Sequence, residues 1–381
     1  MVLAHSFPSL AEFTGAIDGL LFDICDHLQL STARYGLAVE RYNTLNRVLE
    51  SEQSPFRFFQ PEIYPQGSMA LGTTVKPVEG PHDLDFVLQL SRDHHSIDPM
   101  SLIRTLYGFL KNHGTYGPMV SPKNRCVRIT YADEFYMDVL PACHNIAAGG
   151  TCIKVPDRAL RAWSDSNPIG YLEWFKQRSR ILLLERVLDR AAPIPAQQAV
   201  SEKSRLHLAV QLLKRWRDLY YASKDTELAP ISVALTTLAA YCYRGEPSIS
   251  SALATILNGI VALIDASRRN HEKYLRVLNP SNPAEDLTER WDSNPAAYIA
   301  FESGIRAFTE RWSRLMTQQE NVNSELETLF GEPIKAVIKK RAQQLQESRL
   351  AGNLGVTASG IISPVGPSVI PARPNTFYGS E

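Results

Sequence analysis

Two aspartates, Asp83 and Asp85, stand one residue apart in an apolar run that follows a Gly-Ser turn. The stretch reads YPQGSMALGTTVKPVEGPHDLDFVLQL, from Tyr64 to Leu90. In a strand, residues two apart point to one face, so the two carboxylates project together. Their mutual repulsion is removed by a bound dication. Oxygen donors suit Mg²⁺, with Mn²⁺ as an alternative, and such an ion takes substrate phosphates as further ligands. A third acid, Asp138, lies in a second apolar strand-like segment, FYMDVLPA. An unpaired carboxylate is costly to bury there. On neighbouring strands, three acids allow two metal ions about 4 Å apart. One ion would activate an attacking hydroxyl, and the other would steady a triphosphate and its leaving pyrophosphate. Taken alone, Asp-Leu-Asp also describes the polar end of a surface strand.

Three further positions carry compatible chemistry. Gln66-Gly67-Ser68 precedes the acid pair, and Gly67-Ser68 is expected to open a short helix, SMALG. Free N–H groups at a helix start, with a serine hydroxyl, can cradle phosphate, although serine is also a common N-cap. Lys214, in LLKRWRD, offers a point charge for β- and γ-phosphates if its helix packs on the cleft. It reads equally as a solvated helix charge. Ser232, near the start of the next helix, suits phosphate, base or capping.

The elements that must hold these residues change character along the chain. Ser31 to Glu50 is helical, with Tyr35, Ala38, Tyr42, Leu45 and Leu49 at three- and four-residue steps. An earlier segment, Ile17 to Leu28, is a candidate start for the same helix. Residues 61 to 153 mix strands and helices. Phe86 to Leu88 reads as a buried strand and Ser101 to Asn112 as a helix. Arg125 to Tyr131 and Glu134 to Leu140 alternate around a hairpin at Ala132-Asp133. Strict βαβ alternation is absent, so the class is α+β. After about residue 157 strands are expected to cease. Ser201 to Ala222, a helix begun by Pro230, Ile256 to Arg269 and Ala297 to Thr317 form an all-helical lobe. Gly352 to Glu381 is rich in Pro, Gly, Ser and Thr and is expected to be an extended or disordered tail.

Bulk properties bound the function. The chain has 381 residues, 44% of them hydrophobic, enough for more than one core. Lys+Arg and Asp+Glu are both 40, a formal net charge of zero, which argues against strong duplex DNA binding. Cys25, Cys126, Cys143, Cys152 and Cys242 form no CxxC pair, pointing to reduced thiols in a cytoplasmic protein. Cys143, His144 and Cys152 lack paired zinc spacing, and the thiols read as buried or incidental. The N-terminus lacks signal-peptide character, and no run reaches the apolar length of a membrane span.

Together, QGS (Gln66 to Ser68), DLDFV (Asp83 to Val87) and YMDVLPA (Tyr136 to Ala142) resemble the cGAS/DncV-like nucleotidyltransferases (CD-NTases) of the polymerase-β-like superfamily. IKVPDRALRAW, SNPIGYLEWF, LLKRWRDLYY, PISVALTTLAA and NPSNPAEDLTERW extend the likeness over about residues 30 to 345. The resemblance implies a spine-helix region at 1–60 within the core lobe and a nucleotidyltransferase core at 61–195. An oligoadenylate-synthetase-like helical lobe at 196–345 and a tail at 346–381 would follow. It implies joining of NTPs into a cyclic di- or trinucleotide second messenger for anti-phage (CBASS) signalling. Asp83, Asp85 and Asp138 would ligate two Mg²⁺ ions, and Asp138 would help deprotonate the attacking ribose hydroxyl. Gln66, Gly67, Ser68, Lys214 and Ser232 would bind the donor nucleotide. The tail, ending RPNTFYGSE, resembles that of members conjugated by CBASS accessory proteins, although Glu381 is not the small terminal residue of that group.

Overall fold

The computed structural model describes residues 10–132, 134–179, 194–318, 321–357, 362–364 and 369–371. Two N-terminal helices, α1 (Leu10–Leu28) and α2 (Thr32–Leu49), are separated by a break. Ser31 caps α2 by accepting from the Arg34 amide, which is how a serine ends one helix and starts another. Then follow β1 (Glu62–Pro65), the one-turn helix α3 (Gly67–Ala70), the long β2 (His82–Asp93), α4 (Pro99–Asn112), β3 (Val120–Pro122), β4 (Val127–Tyr131), β5 (Phe135–His144), β6 (Ile153–Asp157), β7 (Ala162–Ser166) and α5 (Pro168–Ser179). The strands form one mixed sheet of order β1-β2-β5-β4-β3, with β6 joining β5 to β7. Only β2 and β5 run parallel within it.

Alternation along β2 and β5 divides the sheet's two faces. Leu84, Phe86 and Leu88, with Met137 and Val139, pack against α2 and α4 in one buried cluster. That cluster takes Ala38, Tyr42, Leu45 and Leu49 from α2 and Leu102, Ile103, Leu106 and Leu110 from α4. Val87 and Leu140 point the other way, into a small apolar patch with Tyr64, Ile153 and Val155. Asp83 and Asp85, and Asp138, share this second face by the two-residue period.

The helical lobe comprises α6 (Arg205–Ala222), α7 (Ser232–Cys242), α8 (Ile249–Arg269), the ribbon β8 (Leu278–Asn279) and β9 (Asn282–Asp286), α9 (Arg290–Ser293), α10 (Pro295–Gln318), α11 (Val322–Phe330) and α12 (Pro333–Leu350). A second large core joins them. Several expectations change here. Strands do not cease at residue 157: β7 extends the sheet, and β8–β9 adds a ribbon. Helix α1 is not part of the sheet lobe. Its Phe13, Ile17, Leu21, Ile24 and Leu28 are buried in the helical core, as are Tyr171 and Phe175 of α5. Helix α7 begins at Ser232, two residues after the expected start at Pro230, with Ile231 at its N-cap. Helix α8 is, by length and composition, apolar enough to cross a membrane. In the fold, Ala252, Leu253, Ile256, Leu257, Ile260 and Ile264 are buried in the helical core. Helix α12 continues to Leu350, into the stretch expected to be tail. Beyond it, β10 (Leu354–Thr357) pairs antiparallel with β11 (Ile362–Pro364) and with β12 (Val369–Pro371), so part of the Pro-rich segment is paired rather than free. The RPNTFYGSE end and Asp133 of the expected hairpin turn lie outside the described residues.

Candidate active site

Register brings the acids together. Asp85 and Asp138 are Cα partners across the parallel β2–β5 ladder, and Asp83 sits opposite Tyr136. Across the antiparallel β4–β5 ladder, Arg128 is the partner of Asp138. Arg128 donates from Nε and Nη2 to both Asp138 oxygens at 2.7 Å each, and Nη2 lies 3.3 Å from Asp83 Oδ1. Its guanidinium also rests over the Tyr136 ring, 4.6 Å from the centroid. A bidentate guanidinium is a strong carboxylate partner. The three carboxylates do not gather as a set within 4.8 Å of one another. Three like charges separate unless a cation stands among them, and Arg128 fills part of that role for Asp83 and Asp138.

Asp85 has no such ion pair among the salt bridges of the described residues. Burial, then the charges of Asp138 and Asp83, push its pKa up to about 7, with Arg128 and Lys214 pulling the other way. Asp83 is raised chiefly by burial against the pull of Arg128. With 62% of its side chain exposed, water screens it far better than Asp85.

Helix α3 lies against Asp85. Gln66 is its N-cap, and its amide donates to the Asp85 carbonyl at 2.8 Å. Gly67 has φ +59, and a Cβ there would meet Asp85 Oδ2 at 2.7 Å. Glycine is thus required twice, for a left-handed backbone and for close approach. The Ser68 hydroxyl accepts from Thr74 Oγ1 at 3.4 Å and is half-buried, and Gln66 rather than Ser68 is the N-cap.

The helical lobe reaches the same region through α6. Lys214 is buried, and its Nζ donates to Thr73 O at 3.2 Å and Thr73 Oγ1 at 2.9 Å. Gln211, one turn earlier, donates to Thr74 O at 2.8 Å. Burial, then Arg217, bring the Lys214 pKa down to about 7, while Asp218 and Asp85 oppose this. Lys214 therefore clamps the loop after α3 instead of extending as a solvated charge. Ser232 accepts from Arg217 Nη1, and Arg217 also pairs with Asp218.

Sequence reasoning missed Arg128, Arg217 and Thr73. The hairpin offered a signal for Arg128: Tyr131 opposite Phe135 sets Arg128 opposite Asp138. Arg217 follows Lys214 by three residues, one helical turn along the same face. The Cys126 thiol is pushed up chiefly by its burial and then by Asp138, with which it also hydrogen-bonds.

The donor set fits a hard dication. It is all carboxylate, it rises from adjacent strands on one face, and its central member is destabilised by burial and like charge.

Comparison with known proteins gives the family. The Second Messenger Oligonucleotide or Dinucleotide Synthetase domain matches residues 20–179. A c-di-GMP synthase of Roseivirga ehrenbergii is 31% identical over 372 residues, covering 95% of this chain and 97% of that protein. The cyclic dinucleotide synthase CdnG of Bradyrhizobium diazoefficiens is 25% identical, covering 96% and 95%. The structure of that CdnG in complex with GTP superposes with a TM-score of 0.71 at 24% identity, covering 85% of this chain and 97% of that chain. Vibrio cholerae DncV, with the linear intermediate pppA(3′,5′)pG, gives 0.52 at 14% identity, covering 85% and 88%. With its sheet-borne acids, its helical lobe and a near-full-length relative at this identity, the chain belongs to the CD-NTase family of nucleotidyltransferases that synthesise cyclic oligonucleotides.

Proposed function

We propose that this chain is a Mg²⁺-dependent cyclic dinucleotide synthase that uses GTP, and that its product signals in anti-phage defence. One observation carries the catalytic assignment: Asp85 and Asp138 face each other across β2 and β5, with Gly67 so close to Asp85 that no side chain fits between them. Guanine is favoured by the name of one relative, a c-di-GMP synthase, and by the GTP complex of another, CdnG. Five free thiols, three of them buried, support a reducing cytoplasm.

Asp83, Asp85 and Asp138 would hold the divalent ions. When bound, such ions stabilise charge on the transferring phosphoryl group and its leaving pyrophosphate. The chain's own residues do the rest. The amides after Gln66 at the start of α3, with the Ser68 hydroxyl, would cradle a triphosphate beside Asp85. Lys214 fixes the following loop through Thr73 and lends positive charge to the cleft. Arg217, holding Ser232, supplies a second cation. Asp138 is engaged once at each oxygen by Arg128, which leaves a second lone pair on each for a ribose proton or a metal.

The test is incubation with the four NTPs and Mg²⁺ or Mn²⁺, with product mass measured before and after phosphatase treatment. A phosphatase-resistant product of cyclic dinucleotide mass, lost in Asp83→Ala/Asp85→Ala, is expected. A phosphatase-sensitive ladder would instead show a linear oligonucleotide synthase. Full activity in the double variant would overturn the acid assignment. The defence role is tested by phage challenge of cells carrying the parent or the double variant; equal plaque counts would sink it.

A further inference from the structure

At the other end of β2 from the acids, Asp93, His94 and His95 bring one ligand atom each within 4.8 Å of one another. They occupy the last residue of the strand and the single 3-10 turn after it. Two features distinguish this cluster from a chance surface group. His94 is only 8% exposed, yet its Nδ1 is buried with no hydrogen-bond partner. A buried polar atom of that kind is expensive unless something else satisfies it. That same Nδ1 lies 3.7 Å from Asp93 Oδ1, too far for a hydrogen bond. It is close to the roughly 3.3 Å that separates two ligands of one tetrahedral ion with bonds near 2 Å.

The surroundings hold these groups in place. Asp93 Oδ1 accepts from the His95 amide at 2.9 Å, which fixes the turn. The His94 and His95 rings lie side by side with centroids 3.9 Å apart. Trp163 of β7 meets His94 edge-on at 6.1 Å. Asp93 is also the last Cα partner of β2 in the β5 ladder, opposite His144, after a register shift that follows Leu90. His95 is exposed and Asp93 half-buried, so the cluster opens to solvent on one side.

We propose that Asp93, His94 and His95 form a second metal site that takes a borderline transition dication such as Zn²⁺. Two imidazoles and one carboxylate select zinc-like ions over Mg²⁺, and water completes the coordination on the open side. The ion ties the end of β2 to the His94–Trp163 contact and thereby to β7. The site is structural and separate from the Asp83–Asp85–Asp138 face, because β2 extends about 3.3 Å per residue between them.

The test uses untagged, full-length, chelator-stripped protein titrated with Zn²⁺ by calorimetry in excess Mg²⁺, so that the carboxylate face is already occupied. About one equivalent of Zn²⁺ is expected, with a rise in the thermal midpoint. His94→Gln and His95→Ala should each weaken binding by at least about 10-fold, the scale on which losing even an outer-shell partner weakens a metal site. The Co²⁺ form should show visible d–d bands that both variants lose. Because His94 is buried, the exposed His95→Ala keeps the test valid if His94→Gln misfolds. No uptake of Zn²⁺ up to about 100 μM would overturn the site. Unchanged binding in His95→Ala would place any Zn²⁺ elsewhere and overturn it equally.

Discussion

Arg128 stands in for positive charge that three neighbouring carboxylates require. Replacing it by Met leaves Asp138, only 16% exposed, without its counter-charge. Breaking a partly buried pair on one side is expected to destabilise the ion-free protein by about 2–3 kcal/mol, measured by urea unfolding in EDTA. Asp85 shows the opposite balance. Its charge is opposed by burial and by two acids, so Asp85→Asn should abolish nucleotidyl transfer while raising ion-free stability by about 1 kcal/mol. If Asp85→Asn unfolds at lower denaturant than the parent, the account of its environment is wrong. At Gly67, alanine would face both φ +59 and the 2.7 Å contact with Asp85. A loss of roughly 1–2 kcal/mol is expected, together with reduced activity, because α3 must move off the acid. An unaffected Gly67→Ala would show that this approach is dispensable. Asp83, Asp85 and Asp138 were legible in the sequence because period two and an apolar context need no tertiary knowledge. Arg128 was not, because its role depends on which strand lies beside β5.

Elements decide how the lobes join. Helix α6 has every residue from Leu206 to Trp216 buried, Gln211, Lys214 and Arg215 among them. Such a helix carries no single apolar stripe, so its pattern alone could not show that Lys214 and Gln211 turn toward the loop after α3. Helices α7 and α8 meet at Gly259, where an added Cβ would lie 2.7 Å from Cys242 Cβ and Sγ. Gly259→Ala should force these helices apart and destabilise the protein by about 1–3 kcal/mol. Thermal unfolding of this variant beside Gly259→Ala/Cys242→Gly checks it: removing both Cβ and Sγ at the last residue of α7 should restore part of the loss, and no restoration would disprove the contact. The short strands β7, β8 and β9 were not legible. The burial of β7 does not alternate, and β8 is two residues long, so pairing rather than pattern makes them strands.

On the scale of the whole molecule, the sheet lobe and the helical lobe have separate cores, and the chain crosses between them more than once. Helix α1 belongs to the helical core, α2 to the sheet, and α5 to the helical core again. Global stability therefore depends on groups buried where these segments meet. His207 is one: its ring packs edge-on to Phe175 at 5.1 Å, and Nδ1 lies 2.7 Å from Ser204 Oγ. Burial, then Lys203, bring its pKa from 6.5 down to about 4. Between those values the unfolded chain binds a proton that the folded chain refuses. Stability should be full above about pH 6.5 and fall as the pH drops toward 4, by up to roughly 3 kcal/mol from this group. Urea midpoints at pH 7 and pH 5, compared between parent and His207→Gln, test this. The parent should lose more stability on acidification than the variant, and parallel losses would remove His207 from the explanation.

The sequence by itself determined the acid motif, the α+β class, the amphipathic α2 and the helical character of most of the second half. These are local properties, written in periods of two and of about three and a half residues. Only the tertiary structure decided that Asp85 and Asp138 are register partners, that Arg128 spans Asp138 and Asp83, that Lys214 clamps Thr73, and that α1 leaves the sheet for the helical core. Each of these depends on which distant segments pair or pack. A side chain's direction along its own element says which face it occupies, but the energy of that face is settled only by what comes to lie against it.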